Sequence, residues 1–139
     1  MKIEFGTEDT KKHIISQYPY TAGVLSDGGS LIVAKDEKEQ IIGFLWSFRR
    51  QIEAPVGEKI EDFINVIEVF EGHQCKGIGS ALVQKCIKKA TSEGVYQVRA
   101  YCDIHNRASH LLWAKNRFGI SPIKMQDGSI CGSFVTFVI

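Results

Sequence analysis

The residues best suited to chemistry lie together in one segment, residues 69–80, which reads VFEGHQCKGIGS. A strongly apolar stretch precedes this segment and residues with helical spacing follow it, so the chain passes from a strand directly into a helix. The first amides of a helix lack partners within the helix, the helix dipole is positive there, and glycine lets a phosphate approach the backbone. The segment therefore predicts a binding site for a phosphate-containing anion.

Two well-known phosphate-binding loops do not fit this segment. A Walker A loop needs Lys and then Ser or Thr directly after its last glycine, but Gly77 is followed by Ile78 and Gly79. A dinucleotide-binding fingerprint that began at Gly77 would need a third glycine at Leu82. The pattern that remains is Q-x-x-G-x-G, formed by Gln74, Gly77 and Gly79. The competing interpretation is that the two glycines only open a tight turn between a strand and a helix.

The elements that must position this segment alternate between strands and helices. Strands are predicted at residues 1–6, 31–35, 40–49, 62–70, 95–102, 120–125 and 130–139. Helices are predicted after a Thr7 cap, from Gly77 to a stop at Gly94 and over residues 106–117, and a turn is predicted at residues 26–30. Because residues 62–70 are almost continuously apolar, this strand should lie in the middle of a sheet. The order predicts one mixed α/β domain over residues 1–139.

The composition argues against several classes of function. Seventeen basic residues nearly balance sixteen acidic ones, which leaves a formal charge of +1 and no broad field to attract nucleic acid or an anionic membrane. No apolar run approaches the roughly 20 residues that cross a bilayer, and no secretory leader is recognisable. The four cysteines form neither a C-x-x-C pair nor a pattern with histidine that is typical of a metal site. We expect a cytoplasmic protein that uses no metal.

The Q-x-x-G-x-G pattern, with the strand before it and the helix after it, resembles the acetyl-CoA signature of the GNAT superfamily of N-acetyltransferases. Downstream, the segment from Asn106 to Trp113 looks like the N-x-x-A-x-x-x-Y helix of that family. The following Phe118-Gly119 pair is similar to the family's closing G-F element, with its order reversed. The resemblance implies a mixed, mostly antiparallel sheet of six or seven strands with helices on both faces. It also implies acetyl-CoA as the co-substrate.

The resemblance assigns most acetyl-CoA contacts to the main chain. The pyrophosphate would bind the amides that open the helix, while the pantetheine arm would pair with the end of the preceding strand and contact Asn106. Carried over to this sequence, the cofactor-binding residues are Ile67, Glu68, Val69, Gln74, Cys75, Lys76, Gly77, Ile78, Gly79, Ser80 and Asn106.

The chemistry that the resemblance implies is direct attack of a neutral amine on the acetyl thioester. An alkylammonium group has a pKa of about 10.4, so a base must remove its proton near neutral pH. Glu68 is the candidate base, and the alternative is an ordinary strand carboxylate paired with Lys or Arg. Asn65 stands near the place of a glutamate in many relatives, and Trp113 stands at the place of the tyrosine that protonates the leaving thiolate. Tyr101 could replace that tyrosine, unless it only packs in the structure.

Two classes of function therefore compete. The first is an N-acetyltransferase acting on a primary amine of a small molecule, peptide or protein. The second is a non-catalytic acyl-CoA-binding sensor or regulatory subunit of the same fold, because Asn65 and Trp113 replace groups that catalysis often uses. An unrelated nucleotide-binding module is a third interpretation. We expect a monomer or a homodimer, since the apolar residues 134–139 would be a liability as an exposed edge strand that a partner could cover.

Overall fold

The computed structural model describes residues 1–25 and 28–139, so Ser26 and Asp27 of the predicted turn lie outside the described residues. The strands are β1 (Lys2–Phe5), β2 (Gly29–Lys35), β3 (Ile41–Gln51), β4 (Ile60–Val69), β5 (Gln97–Asp103), β6 (Gly119–Lys124) and β7 (Ile130–Val138). The helices are α1 (Glu8–Gln17), α2 (Ile78–Ser92) and α3 (Arg107–Lys115), and a 3-10 turn covers Pro19–Gly23. Among the described residues, no helix is both long and apolar enough to cross a membrane.

All seven strands form one sheet in the order β1-β2-β3-β4-β5-β7-β6. Neighbouring strands pair antiparallel except β4 and β5, which are parallel because α2 connects them across one face. The expected mixed and mostly antiparallel sheet is confirmed, and β4 lies at its centre as its apolar sequence predicted.

The helices cover the two faces of the sheet and create two cores. On one face, here called the α2 face, the apolar stripe of α2 is buried at Ile78, Leu82, Cys86 and Ala90, which recur at helical spacing. On the opposite face, the α1 face, Ile14 of α1 packs in a smaller core with Phe44, Trp46 and Phe70. Helices on both faces are therefore confirmed.

An extra residue in β4 changes the direction of its side chains. The pairing with β3 passes from Ile64 to Val66 while β3 advances by one residue, so Asn65 forms a β-bulge. Ile64 packs in the core of the α2 face, whereas Val66 packs on the α1 face. The parallel pairing between β4 and β5 also ends at Ile64, opposite Ala100, although both strands continue. A gap between the two strands therefore opens at the bulge.

The expectation that the apolar C-terminal strand forms an exposed edge was wrong. β7 lies between β5 and β6 and pairs with both, from Val138 opposite Gln97 on one side to Ile130 opposite Lys124 on the other. The hairpin order along the chain did not show that β7 would turn inwards and leave β6 outside. The edge strand on this side of the sheet is β6, in which Ile120 is 44% exposed.

Candidate functional site

A groove of about 510 Å³ opens where the end of β4 meets the start of α2, and α3 forms its opposite wall. It is lined by Ile67, Glu68, Val69, Gln74, Cys75, Gly77, Ile78, Gly79, Ser80, Ala108, Ser109, Leu111, Leu112 and Lys115. The structure thus brings together the predicted cofactor-binding residues, with the exception of Lys76 and Asn106.

The helix that faces the groove, α2, begins without a side-chain cap. Its N-cap residue, Gly77, has a φ of 80°, a left-handed conformation that glycine adopts without strain. Within the described chain, no side chain caps this end of the helix and its first turn contains no acidic residue. The starts of α1 and α3, in contrast, are capped by Thr7 and Asn106. The first amides of α2 are therefore available to an anion, which the helix dipole also favours.

The loop between β4 and α2 is held by side-chain hydrogen bonds to its own backbone. Gln74 Nε2 donates to the carbonyl oxygen of Val69 at 3.1 Å, and Lys76 Nζ donates to that of Gly72 at 3.3 Å. Cys75, whose thiol is exposed, has a φ of 61°, so its backbone is left-handed without the freedom of glycine. Gln74 therefore ties the loop to the end of β4, and Lys76 closes the loop on itself outside the groove lining.

The end of β4 presents an open main-chain edge to the groove. Its pairing with β5 stops at Ile64, but the strand continues to Val69. The N–H of Phe70 donates to the carbonyl oxygen of Ile42 in β3 at 2.9 Å. Because successive residues of a strand face alternate neighbours, the main-chain groups of Val69 and Ile67 face away from β3, towards the gap. Such an edge can pair with an extended chain that carries amide groups.

Glu68 lines the groove, but its carboxylate lies on the α1 face. Its neighbours Ile67 and Val69 pack against the core of the α2 face, so the alternating side chain of Glu68 points the other way. There the hydroxyl of Tyr20 donates a hydrogen bond to Oε2 of Glu68. Desolvation and this hydrogen bond raise the pKa of Tyr20 to about 12, so the phenol remains protonated near neutral pH. Tyr20 could not be identified from the sequence, because no local pattern relates residues 48 positions apart.

Three other residues that the sequence singled out lie outside the groove lining. Asn106 Oδ1 accepts a hydrogen bond from the N–H of Ser109 at 3.0 Å and so caps α3. The hydroxyl of Tyr101, a residue 44% exposed, donates to the carbonyl oxygen of Cys131 at 3.2 Å. Desolvation and the contact with Cys131 raise the pKa of Tyr101 above its ordinary value. Trp113 is only 2% exposed and belongs to the core of the α2 face.

The site offers two different binding features to one elongated ligand. The start of α2 offers amides to an anion, while the edge of β4 offers N–H and C=O groups to an amide-containing arm. On the opposite face of the sheet, the carboxylate of Glu68 can take a proton from a second molecule. Among the described residues, no group of three or more His, Cys, Asp or Glu is arranged to hold a metal ion.

The sequence and the fold both resemble those of known proteins. The sequence model of the Acetyltransferase (GNAT) family matches residues 3–119. A mycothiol acetyltransferase from Renibacterium salmoninarum is 30% identical over 87 residues, which are 63% of this chain and 25% of that protein. The matched part therefore spans about a quarter of the length of this relative.

Solved structures share the fold over nearly the whole chain. A GNAT family acetyltransferase from Elizabethkingia anophelis with acetyl-CoA bound has a TM-score of 0.68 and 22% identity, covering 99% of this chain and 97% of that one. A Bacillus subtilis acetyltransferase in complex with CoA has a TM-score of 0.73 and 18% identity, covering 99% and 98%. A ribosomal-protein-alanine N-acetyltransferase from Brucella melitensis has a TM-score of 0.72 and 16% identity, covering 100% of both chains. At these identities the likeness shows the fold alone.

Proposed function

Because this chain belongs to the GNAT acetyltransferase family, we propose that it transfers an acetyl group from acetyl-CoA to a primary amine of a small molecule, peptide or protein. The observation that carries the proposal is the meeting of the uncapped start of α2 with the open edge of β4 in one groove. The first feature suits a pyrophosphate and the second suits an extended arm with amide groups. Acetyl-CoA combines both in a single molecule.

We assign the binding of acetyl-CoA to main-chain groups around this groove. The amides from Cys75 to Ser80 would hold the pyrophosphate, and Ile67, Glu68 and Val69 would pair with the pantetheine arm. The remaining polar atoms of Asn106 would contact that arm, since its Oδ1 caps α3. A Cβ atom at Gly79 would lie 3.3 Å from Leu112 Cδ1 across the groove, so glycine keeps this passage wide.

The proposed reaction uses residues on both sides of the gap between β4 and β5. When bound, acetyl-CoA supplies a reactive thioester. Glu68 takes the proton of the acceptor ammonium group, whose ordinary pKa is about 10.4, and the free nitrogen attacks the carbonyl carbon. A C–N bond would form as the C–S bond breaks, with the N–H of Val69 donating to the carbonyl oxygen, and the nitrogen would lose a second proton that balances the one gained by the departing thiolate. Tyr101 remains the candidate proton donor to the thiolate, provided that its hydroxyl leaves Cys131.

A second candidate function is a non-catalytic acyl-CoA sensor of the same fold. The buried position of Trp113 favours it, because an indole in the core cannot protonate a leaving thiolate. Against it stands the chemistry of the thiol, whose pKa of about 8.5 allows the thiolate to leave without an acid. The two candidates differ in one measurable property, which is turnover in the presence of an amine.

The proposal also includes a cellular location and an assembly state. We place the enzyme in the cytoplasm, where its four cysteines, all free in the structure, would stay reduced. It would act there as a monomer or a homodimer.

The function is tested by measuring coenzyme A release from acetyl-CoA with a panel of primary amines and short peptides. We expect amine-dependent release that falls about 100-fold in Glu68→Gln, because a general base typically contributes this much or more. Binding of acetyl-CoA, measured by calorimetry, should be unchanged in that variant. Glu71→Gln, which removes an exposed carboxylate three residues further on, is the matched control and should keep the full rate. Binding of acetyl-CoA without release with any amine would favour the sensor.

A further inference from the structure

Tyr20 makes a direct contact with the proposed base from a different part of the chain. It belongs to the Pro19–Gly23 turn between α1 and β2, and its hydroxyl donates to Oε2 of Glu68. The proposed reaction assigns no role to this contact. Because a carboxylate has two oxygens, a partner on Oε2 leaves Oε1 for another donor.

The turn that carries Tyr20 is anchored beside the end of β4. The ring of Tyr18 stacks on Phe70 with a centroid distance of 4.2 Å and an angle of 15° between the ring planes. Phe70 directly follows β4, and the rings of Tyr18 and Tyr20 lie 6.3 Å apart between centroids, with an angle of 73° between their planes. This aromatic chain fixes the turn relative to Glu68, while Tyr20 itself stays 57% exposed. An exposed ring gains little from packing, so its hydrogen bond is its main specific interaction.

We propose that Tyr20 is a positioning residue for the amine reaction, holding Glu68 through Oε2 so that Oε1 faces the acceptor ammonium group. This inference rests on the proposed function and on Glu68 as the base. The phenol can keep this role across the neutral pH range, since its raised pKa of about 12 leaves the hydroxyl protonated.

As a positioning residue, Tyr20 acts through Glu68 and does not contact acetyl-CoA. The groove that we assign to acetyl-CoA is lined from the α2 face, and Tyr20 is not among its lining residues. Loss of the hydroxyl should therefore affect the step that needs the base and leave co-substrate binding unchanged. Without Glu68, the hydroxyl should have no further effect on the rate.

The test is a double-mutant cycle with Tyr20→Phe and Glu68→Gln, in which kcat and the KM of both substrates are measured with the best amine of the panel. We expect Tyr20→Phe to lower kcat about tenfold, because a hydrogen bond to a charged group is typically worth this factor. The KM for acetyl-CoA should not change. In the Glu68→Gln background, the same substitution should change the rate less than twofold. Tyr96→Phe, which removes a hydroxyl from a distant residue that is 37% exposed, is the control.

The outcomes separate this inference from the function on which it rests. Active wild-type protein whose kcat is unaffected by Tyr20→Phe would overturn the positioning role alone. A tenfold loss that persists in Glu68→Gln would also overturn it, since Tyr20 would then act by another route. Wild-type protein that binds acetyl-CoA and acetylates no amine would refute the proposed function and this inference together.

Discussion

Substitution of Gly79 by glutamate should separate the stability of the fold from the binding of acetyl-CoA. Gly79 is the second residue of α2 and lines the groove. A Cβ atom there would lie 3.3 Å from Leu112 Cδ1 and 3.9 Å from Val69 Cγ2. The close neighbours are side-chain ends that can shift by a few tenths of an ångström. The new carboxylate would therefore fit the fold but stand where the pyrophosphate is proposed to bind.

The two effects of Gly79→Glu have opposite signs. Replacing glycine in a helix raises the free energy of unfolding by up to about 1 kcal/mol, and an acidic residue in the first turn raises it by about 0.3–1 kcal/mol more through the helix dipole. Against acetyl-CoA, a carboxylate about 4 Å from one phosphate charge is repelled by about 1 kcal/mol in water and about 4 kcal/mol at an effective dielectric constant of about 20. For an open groove we take an intermediate repulsion of about 2 kcal/mol, which weakens the binding of acetyl-CoA about 30-fold.

The assay is isothermal titration with acetyl-CoA together with thermal unfolding of each variant. We expect Gly79→Glu to unfold at an equal or higher temperature than wild type and to bind acetyl-CoA about 30-fold more weakly. Gly79→Gln has nearly the same size without the charge, so it measures the steric part of the loss. The proposed pyrophosphate site is refuted if the glutamate variant binds acetyl-CoA with wild-type affinity, or if wild type itself shows no saturable binding.

Two further predictions concern stability. Gly77→Ala places a Cβ on a residue with a φ of 80°, so it should lower the free energy of unfolding by about 1 kcal/mol and weaken acetyl-CoA binding. An unchanged unfolding temperature would contradict the left-handed conformation of Gly77. Burial would raise the pKa of Glu61, but hydrogen bonds from Arg50, Gln97 and Arg99 outweigh it and hold the pKa below its ordinary value of 4.5. Because its pKa is lowered in the folded state, ionised Glu61 stabilises the fold at pH values above 4.5. This stabilisation is lost as the pH falls through the folded-state pKa. Glu61→Gln should therefore lose about 3 kcal/mol at pH 7 in denaturant unfolding, and its deficit should shrink below pH 4.5; a deficit independent of pH would contradict this.

Features of the site that are set by residues close together in the chain could be predicted from the sequence. The period of Ile78, Leu82 and Cys86 indicated which side of α2 is buried, because a helix repeats its faces every 3.6 residues. Gly77 and Gly79 similarly marked a strand-to-helix turn whose amides are free, since both the start of a helix and the freedom of glycine are local properties. Which of these residues bind acetyl-CoA stays a prediction until binding is measured.

The parts that depend on contacts distant in sequence could not be predicted. The hydrogen bond from Tyr20 to Glu68 joins residues 48 positions apart, and it depends on tertiary packing such as that of Tyr18 on Phe70. The inward position of β7 was missed for the same reason. A hairpin signal shows that β6 and β7 pair, but it does not show which of the two strands meets β5.

The bulge at Asn65 links these observations, since it determines the face on which Glu68 lies. Ile64 packs on the α2 face, and uninterrupted alternation would place Glu68, four residues later, on that face too. The extra residue reverses the alternation, so Ile67 and Val69 pack against the α2-face core while Glu68 reaches Tyr20 on the other face. The pairing with β5 ends at the same place, which opens the gap. One inserted residue thus places the groove proposed for acetyl-CoA and the carboxylate of the proposed base on opposite faces of one strand, so that in the proposed reaction the acceptor and acetyl-CoA do not compete for the same surface.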